Sequence, residues 1–254
     1  MSKIYEALMK AESESDSKQS EAKLANMNLF KDGRRPPRID FDLEPYVEEQ
    51  YQKLRRHLVP GPKQSPVKVI MVAATDHGEG GTTTAAILAS TFARSKNSKT
   101  LLIDANCRTP ALDDVFQGQN GVAGLSDLIL SEAASLEKSI YQTNFPNLSV
   151  LPCGRHVSSP SYIFDGESMN DLLTILRERF DFIIFDASPL DAYSESFFLA
   201  PKVDGVVVVV EAERTKMEVV RRIKKELESA GANFLGVVLN KKKKYIPKFL
   251  ERFL

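Results

Sequence analysis

Residues 74–84, Ala-Thr-Asp-His-Gly-Glu-Gly-Gly-Thr-Thr-Thr, join an apolar run at 67–73 to an alanine-rich stretch that begins at Ala85. A strand, a glycine-rich turn and a helix in that order leave few folds open. The free N–H groups of a helix's first turn attract anions, and glycines let a ligand approach the backbone. The turn reads as a phosphate-binding loop, in which Gly78, Gly80 and Gly81 give close approach and the Thr82 hydroxyl stands where Mg²⁺ would be held. The slot before that threonine ordinarily carries a lysine that reaches the β- and γ-phosphates. Here it carries Gly81. A dinucleotide-type turn fits poorly, because Gly78-Glu79-Gly80 lacks the third glycine of that pattern. An ordinary strand–helix turn is the simpler alternative, and the motifs downstream weigh against it.

From residue 67 onward, short apolar runs alternate with amphipathic stretches. The runs at 67–73, 100–104, 148–151, 181–186, 205–211 and 234–239 read as strands. The stretches at 82–95, 124–131, 168–179, 193–201 and 216–230 read as helices. The unbroken Val206–Val210 run is what a strand buried on both faces requires. Strand–helix alternation predicts right-handed βαβ units, hence an α/β fold with a mostly parallel sheet and helices on both faces. Upstream, residues 2–12 have the spacing of a short amphipathic helix. Residues 13–44 are rich in Ser, Glu, Asp, Lys and Pro and read as a flexible linker. A charged helix is expected over 45–58, ended by Pro60-Gly61-Pro62. The domain is expected to span 45–240, followed by a basic tail at 241–254.

Length and composition fit one large α/β domain. The chain has 254 residues, 43% of them hydrophobic, and its 34 basic and 34 acidic residues cancel. Net charge therefore points to no particular partner. No apolar run is long enough to span a bilayer and no signal peptide is recognisable, so the expected location is the cytoplasm. Cys107 and Cys153 lie far apart in sequence, with no metal-ligand spacing, and imply no disulfide framework.

Two further motifs carry chemistry. Leu101-Leu102-Ile103-Asp104 ends a buried strand in a carboxylate, which can hold metal-bound water, act as a base, or simply cap a strand–loop turn. Beside a phosphate loop a site role, metal-water or base, is favoured over the cap. Phe182-Ile183-Ile184-Phe185-Asp186 is a Walker B pattern, in which the acid reaches Mg²⁺ directly or through water.

The ordered set of Gly-Glu-Gly-x-Thr-Thr-Thr, Leu-Ile-Asp-Ala-x-x-Arg-x-Pro, Gly124-Leu125-Ser126-Asp127-Leu128, Leu151-Pro152-x-Gly154, Phe180 to Asp186 and Val238-Leu239-Asn240 resembles the bacterial tyrosine kinases of exopolysaccharide export. These sit within the MinD/ParA-type P-loop ATPases. The opening Met-Ser-Lys-Ile-Tyr-Glu-Ala-Leu resembles the separate cytoplasmic kinases of polysaccharide loci. The resemblance covers roughly residues 45–240. It implies ATP and Mg²⁺ as cofactors, with phosphates on Gly78, Glu79, Gly80, Gly81, Thr82 and Thr83. Metal would sit on Thr82, Asp104 and Asp186, the two acids being the catalytic pair. It also implies a membrane chain-length or export regulator as partner, and homo-oligomers through a Glu-x-x-Arg-x-x-Arg helix motif matched by Glu49 and Arg55.

The departures from that family fall together. The Walker lysine is Gly81. The second acid of the family's extra Walker motif is Asn106, and the middle arginine of the ring motif is Gln52. In place of a tyrosine-rich tail stands Lys241-Lys242-Lys243-Lys244-Tyr245. These are charge-bearing or kinase-specific positions, while the apolar frame is intact. The expected function is a kinase-like regulator of polymer length or export, with phosphoryl transfer weakened or gone. The alternative is an active MinD/ParA-like ATPase that positions a complex at the membrane. The tail from Lys241 to Leu254 carries five Lys and one Arg against one Glu. It suits either an anionic membrane surface or a solvated run packed back on the domain. No groove-reading motif accompanies it, so nucleic acid is not expected.

Overall fold

The computed structural model describes residues 39, 41–59, 67–95, 98–116, 118, 123–131, 134–157 and 159–242. The helix expected at 2–12, nearly all of the 13–44 linker and the tail from 243 lie outside the described residues. All described elements belong to one compact unit.

The sheet has seven strands: β1 (Val69–Ala74), β2 (Thr100–Ala105), β3 (Tyr141–Gln142), β4 (Leu148–Leu151), β5 (Phe182–Ala187), β6 (Gly205–Glu211) and β7 (Phe234–Asn240). Their spatial order is β3-β4-β2-β5-β1-β6-β7. Every pairing is parallel except β3 with β4. The parallel sheet predicted from the alternation is present. The short antiparallel β3 is an addition, because two residues carry no readable period.

Among the described residues, ten helical segments precede or connect the strands: α1 (Pro45–Leu58), ahead of β1, then α2 (Gly81–Ala93), α3 (Leu112–Phe116), α4 (Leu125–Leu130), α5 (Leu136–Ser139), α6 (Ser161–Asp165), α7 (Glu167–Arg179), α8 (Glu195–Leu199), a 3₁₀ turn at Ala200–Lys202, and α9 (Met217–Ser229). The period-2 alternation of each strand divides the core in two. Val69, Met71 and Ala73 of β1 face the cluster that α4, α6, α7, α8 and α9 cover. Ile70, Val72 and Ala74 face the cluster beneath α1, α2 and α3.

Helix α2 explains how the loop before it is held. Ten of its thirteen residues, Thr84 to Ala93, are buried. Its Ala, Ser and Thr side chains let it lie close on β1, β2 and β5. Helix α1 covers its outer side through Leu58 and the half-buried Tyr51 and Leu54. Arg55 stacks over the Phe92 ring at 5.8 Å, and Arg94 pairs with Glu48 at 2.5 Å. Because β1 lies between β5 and β6, its carboxyl end is flanked by the carboxyl ends of both neighbours. That crevice is where open parallel sheets bind ligands.

Candidate functional site

The loop between β1 and α2 needs glycine at two places for different reasons. Gly78 and Gly80 have φ of 77° and 96°, a left-handed conformation that side chains disfavour. A Cβ on Gly80 would also stand 2.1 Å from the Asn240 amide nitrogen. Gly81 is different. It opens α2, and a Cβ there would meet the Cβ and N of Ala74 at 3.2 Å, a tight contact that needs only a small adjustment. Nothing in the backbone therefore demands glycine at 81. Gly80, Gly81, Thr82 and Thr83 are half-buried, and Gly78 is exposed.

Glu79 behaves unlike its neighbours. Its side chain is only 1% exposed and turns into the loop. One carboxylate oxygen accepts the N–H groups of Thr75 (2.9 Å) and Asp76 (3.0 Å) and the Thr75 hydroxyl. The other accepts the Thr215 hydroxyl from the β6–α9 turn. The side chain thus staples the loop's own backbone, and any phosphate contact at 79 falls to the main chain.

Asp104 and Asp186 are register partners on the adjacent strands β2 and β5, both at the carboxyl end of the sheet and both 1% exposed. Asp104 accepts N–H groups from Asn106 (3.1 Å), Ala111 (3.0 Å) and Leu112 (3.0 Å), so it closes the strand–loop turn. Burial still dominates, and its carboxyl is pushed up to about 7. Asp186 is the more exceptional group, because neither of its oxygens has a hydrogen-bond partner. Burial and the neighbouring Asp104 charge push its carboxyl well above the usual range. The Thr82 hydroxyl is near enough to oppose that shift, without forming a hydrogen bond of ordinary geometry. A buried carboxyl without a hydrogen-bond partner is neutralised either by a proton or by a cation.

The donors at this point are carboxylate and hydroxyl oxygens, which suit Mg²⁺. No group of three or more His, Cys, Asp or Glu side chains that could hold a metal occurs among the described residues. That set also fits Mg²⁺, which takes one or two carboxylates and fills its remaining positions with phosphate and water.

Asn106, expected to stand where an acid would, is buried, and its side-chain oxygen is engaged. Its side-chain oxygen accepts the Thr109 N–H and hydroxyl (both 3.3 Å) and the Ser188 hydroxyl (3.2 Å). An amide here holds the loops after β2 and β5 together. Tyr193 lies between two groups of the site. Arg108 stacks over its ring at 5.2 Å, and the His77 ring meets it edge-on at 5.4 Å. Arg108 also pairs with buried Glu195 at 3.1 Å.

Four residues that sequence reasoning does not place at the loop close its other side: in the sequence Asn240 figures only as part of a family motif, and Lys241 only as the start of the basic tail. The Asn240 amide donates to the Glu79 carbonyl at 2.8 Å. Lys241 donates to the Gly78 carbonyl at 2.6 Å and to Glu211 at 3.0 Å. Arg214 donates to the His77 carbonyl (3.2 Å), Asp76 (3.1 Å) and Glu211 (3.1 Å), and Thr215 holds Glu79. They come from the ends of β6 and β7, and their only sequence signal is a polar residue ending each apolar strand. The cysteines also meet despite their separation. Contact with Cys107 is the main cause that pushes the Cys153 thiol up, burial being the next, and both thiols remain free.

Comparison with known proteins now bears on this geometry. A family described as AAA domain matches residues 67–235, more than half of the chain. Tyrosine-protein kinase CpsD of Streptococcus agalactiae is 32% identical over 195 residues, covering 77% of this chain and 83% of that protein. The chain belongs to the bacterial tyrosine-kinase family of exopolysaccharide systems. The solved structure of the chimerical protein CapA2B2 matches with a TM-score of 0.73 at 29% identity, over 79% of this chain and 87% of that one. The cell division ATPase MinD of Pyrococcus furiosus shares the fold, with a TM-score of 0.57 at 23% identity over 73% and 78% of the two chains. The kinase-family chain described here keeps the loop frame and both strand-end acids, and has Gly81 where the resemblance places the Walker lysine.

Proposed function

We propose that this chain is a regulatory, kinase-like subunit of an exopolysaccharide system that holds a Mg-nucleotide and transfers phosphate slowly or not at all. Its partner is a membrane chain-length or export regulator. The observation that carries the reading is Asp186, a buried carboxylate with no donor, set beside Asp104 and Thr82 at the mouth of a phosphate loop. A chain that had lost its nucleotide altogether would gain stability by replacing that acid.

In this reading the N–H groups from Gly78 to Thr83 bind phosphate oxygens, and the α2 dipole favours their charge. Thr82, Asp104 and Asp186 are the groups that would hold Mg²⁺. The ion, when bound, supplies positive charge that screens the phosphates. Glu79 keeps the loop's curvature, and Asn106 keeps the two acid-bearing loops in register. Phosphoryl transfer depends on positioning and on charge neutralisation. Loss of one well-placed donor typically costs about 10²–10³ in rate. Gly81 removes such a donor, and Asn106 separately removes a carboxylate, which together support a binding role over fast catalysis.

The deciding experiment is calorimetry with Mg-ATP and Mg-ADP on the full chain and on Asp186→Ala. The expected result is micromolar binding by wild type and none by the variant. Silence from both would overturn the reading. Phosphate-specific mass spectrometry of protein from its own cells tests the slow-transfer clause. The expected result is substoichiometric phosphate or none on Tyr5 and Tyr245, and stoichiometric phosphotyrosine would mark a fully active kinase.

A further inference from the structure

Among the described residues, two cations hydrogen-bond the loop that lacks its lysine, and both come from the far half of the chain. Their commitments differ. The Arg214 guanidinium is held by two carboxylates, Asp76 at 3.1 Å and Glu211 at 3.1 Å, besides the His77 carbonyl. It is neutralised where it stands. The Lys241 ammonium has two partners among the described residues, the Gly78 carbonyl and Glu211. An ammonium has three N–H donors, so one is left over.

The backbone at Lys241 is bent toward the loop. Its φ is 55°, an uncommon conformation for a lysine. The Lys241 N–H donates to the Asn240 side-chain oxygen at 2.8 Å, and the other end of that amide donates to the Glu79 carbonyl at 2.8 Å. Asn240 and Lys241 together grip consecutive carbonyls of the loop, those of Gly78 and Glu79. Glu211 is shared by Lys241 and Arg214, and both cations hold its carboxyl below the usual range, Lys241 most. If the ammonium turned away, Arg214 would remain as the counter-charge for Glu211.

We propose that Lys241 supplies the phosphate-binding charge that position 81 lacks. The inference rests on the nucleotide reading above and goes beyond it by naming the group that replaces the missing lysine. With phosphate in the loop, the ammonium exchanges Glu211 for a phosphate oxygen and stays anchored to the Gly78 carbonyl. The flexible four-carbon stem of a lysine permits that exchange, which a fixed arginine fork would not. A cation approaching from β7 explains how the loop can retain its frame with no side chain at 81.

The test is Mg-ATP calorimetry on wild type, Lys241→Met, Lys241→Gln, Lys242→Met and Gly81→Lys/Lys241→Met, each first checked for an unchanged melting profile. If Lys241 carries the charge, Lys241→Met and Lys241→Gln weaken binding about tenfold to a hundredfold, as expected for a charged hydrogen bond. The neighbouring Lys242→Met has no effect, and Gly81→Lys restores binding in the Lys241→Met background. Wild-type affinity in Lys241→Gln would show that the residue is only a neutral hook on Gly78, and would overturn the inference. Wild-type affinity in Lys241→Met would overturn it while leaving the nucleotide reading intact. Failure of Gly81→Lys to rescue a weakened Lys241→Met would assign the loss to loop structure, also against the inference. A silent wild type would remove both.

Discussion

Asp186 is where a single side chain carries most of the physical argument. An ionised carboxylate inside protein without a donor is costly, and folding tolerates it only where something else is gained. Its folded carboxyl lies above its usual value because of burial and Asp104, so the metal-free protein holds a proton there that the unfolded chain has released. Asp186→Asn should therefore stabilise metal-free protein at pH 8 by about 1–3 kcal/mol, the scale of an unsatisfied buried group. At pH 5, where more of the wild-type acid is protonated, the gain should shrink. Urea denaturation at the two pH values checks this, and a destabilised variant at pH 8 would mean that the carboxylate is satisfied. Asp104 does not share that prediction, since three backbone N–H groups already use it.

At the scale of elements, the β1–loop–α2 unit separates glycines that the backbone requires from one that it does not. Gly80→Ala forces a side chain into a left-handed residue and displaces the Asn240 amide from the Glu79 carbonyl. It should cost about 1–3 kcal/mol in a denaturant titration. Gly81→Ala meets one tight contact at Ala74 but gains helix propensity at the start of α2. Its net effect should lie within about 1 kcal/mol of zero. Equal losses at both positions would contradict this division. The strands were legible in sequence because each interior one is apolar at nearly every position, as the burial of Val69–Ala74 and Thr100–Ala105 along their whole length requires. The short helices α3, α5 and α6 were not, since four or five residues make little more than one turn, too few to show a repeat.

At the scale of the whole molecule, the two ends of the sheet titrate in opposite senses. At the amino end, burial works against the charge of Asp204. The Arg177 fork and the N–H groups of Val69 and Lys68 overcome it and hold the carboxyl below its usual value. That contribution is present above the usual carboxylate range and is lost as pH falls through the folded value. At the carboxyl end, Asp104 moves from an ordinary 3.8 to about 7 on folding. Its contribution is greatest at low pH and is lost as pH rises toward 7. Metal-free protein should thus be most stable on the acid side of neutrality. Mg-nucleotide favours the ionised acids, so the rise in melting temperature that it causes should grow between pH 5 and pH 8. A ligand-induced rise that is constant across that range would show that the two acids keep their protonation on binding.

Some of this was fixed by local pattern and some was not. The parallel sheet, the phosphate loop and the two strand-end acids follow from short-range order, because a buried strand, a glycine turn and a helix each declare themselves within about ten residues. The sequence alone also showed that position 81 is vacant. It did not show what faces that vacancy. Arg214, Asn240 and Lys241 stand more than a hundred residues from the loop, and β6 and β7 bring them there only because those strands lie on one side of β1 in the finished sheet. Strand order is a property of the assembled core, where burial is shared among all seven strands. The charge at the site was therefore decided by tertiary packing, and the frame that receives it by the local sequence.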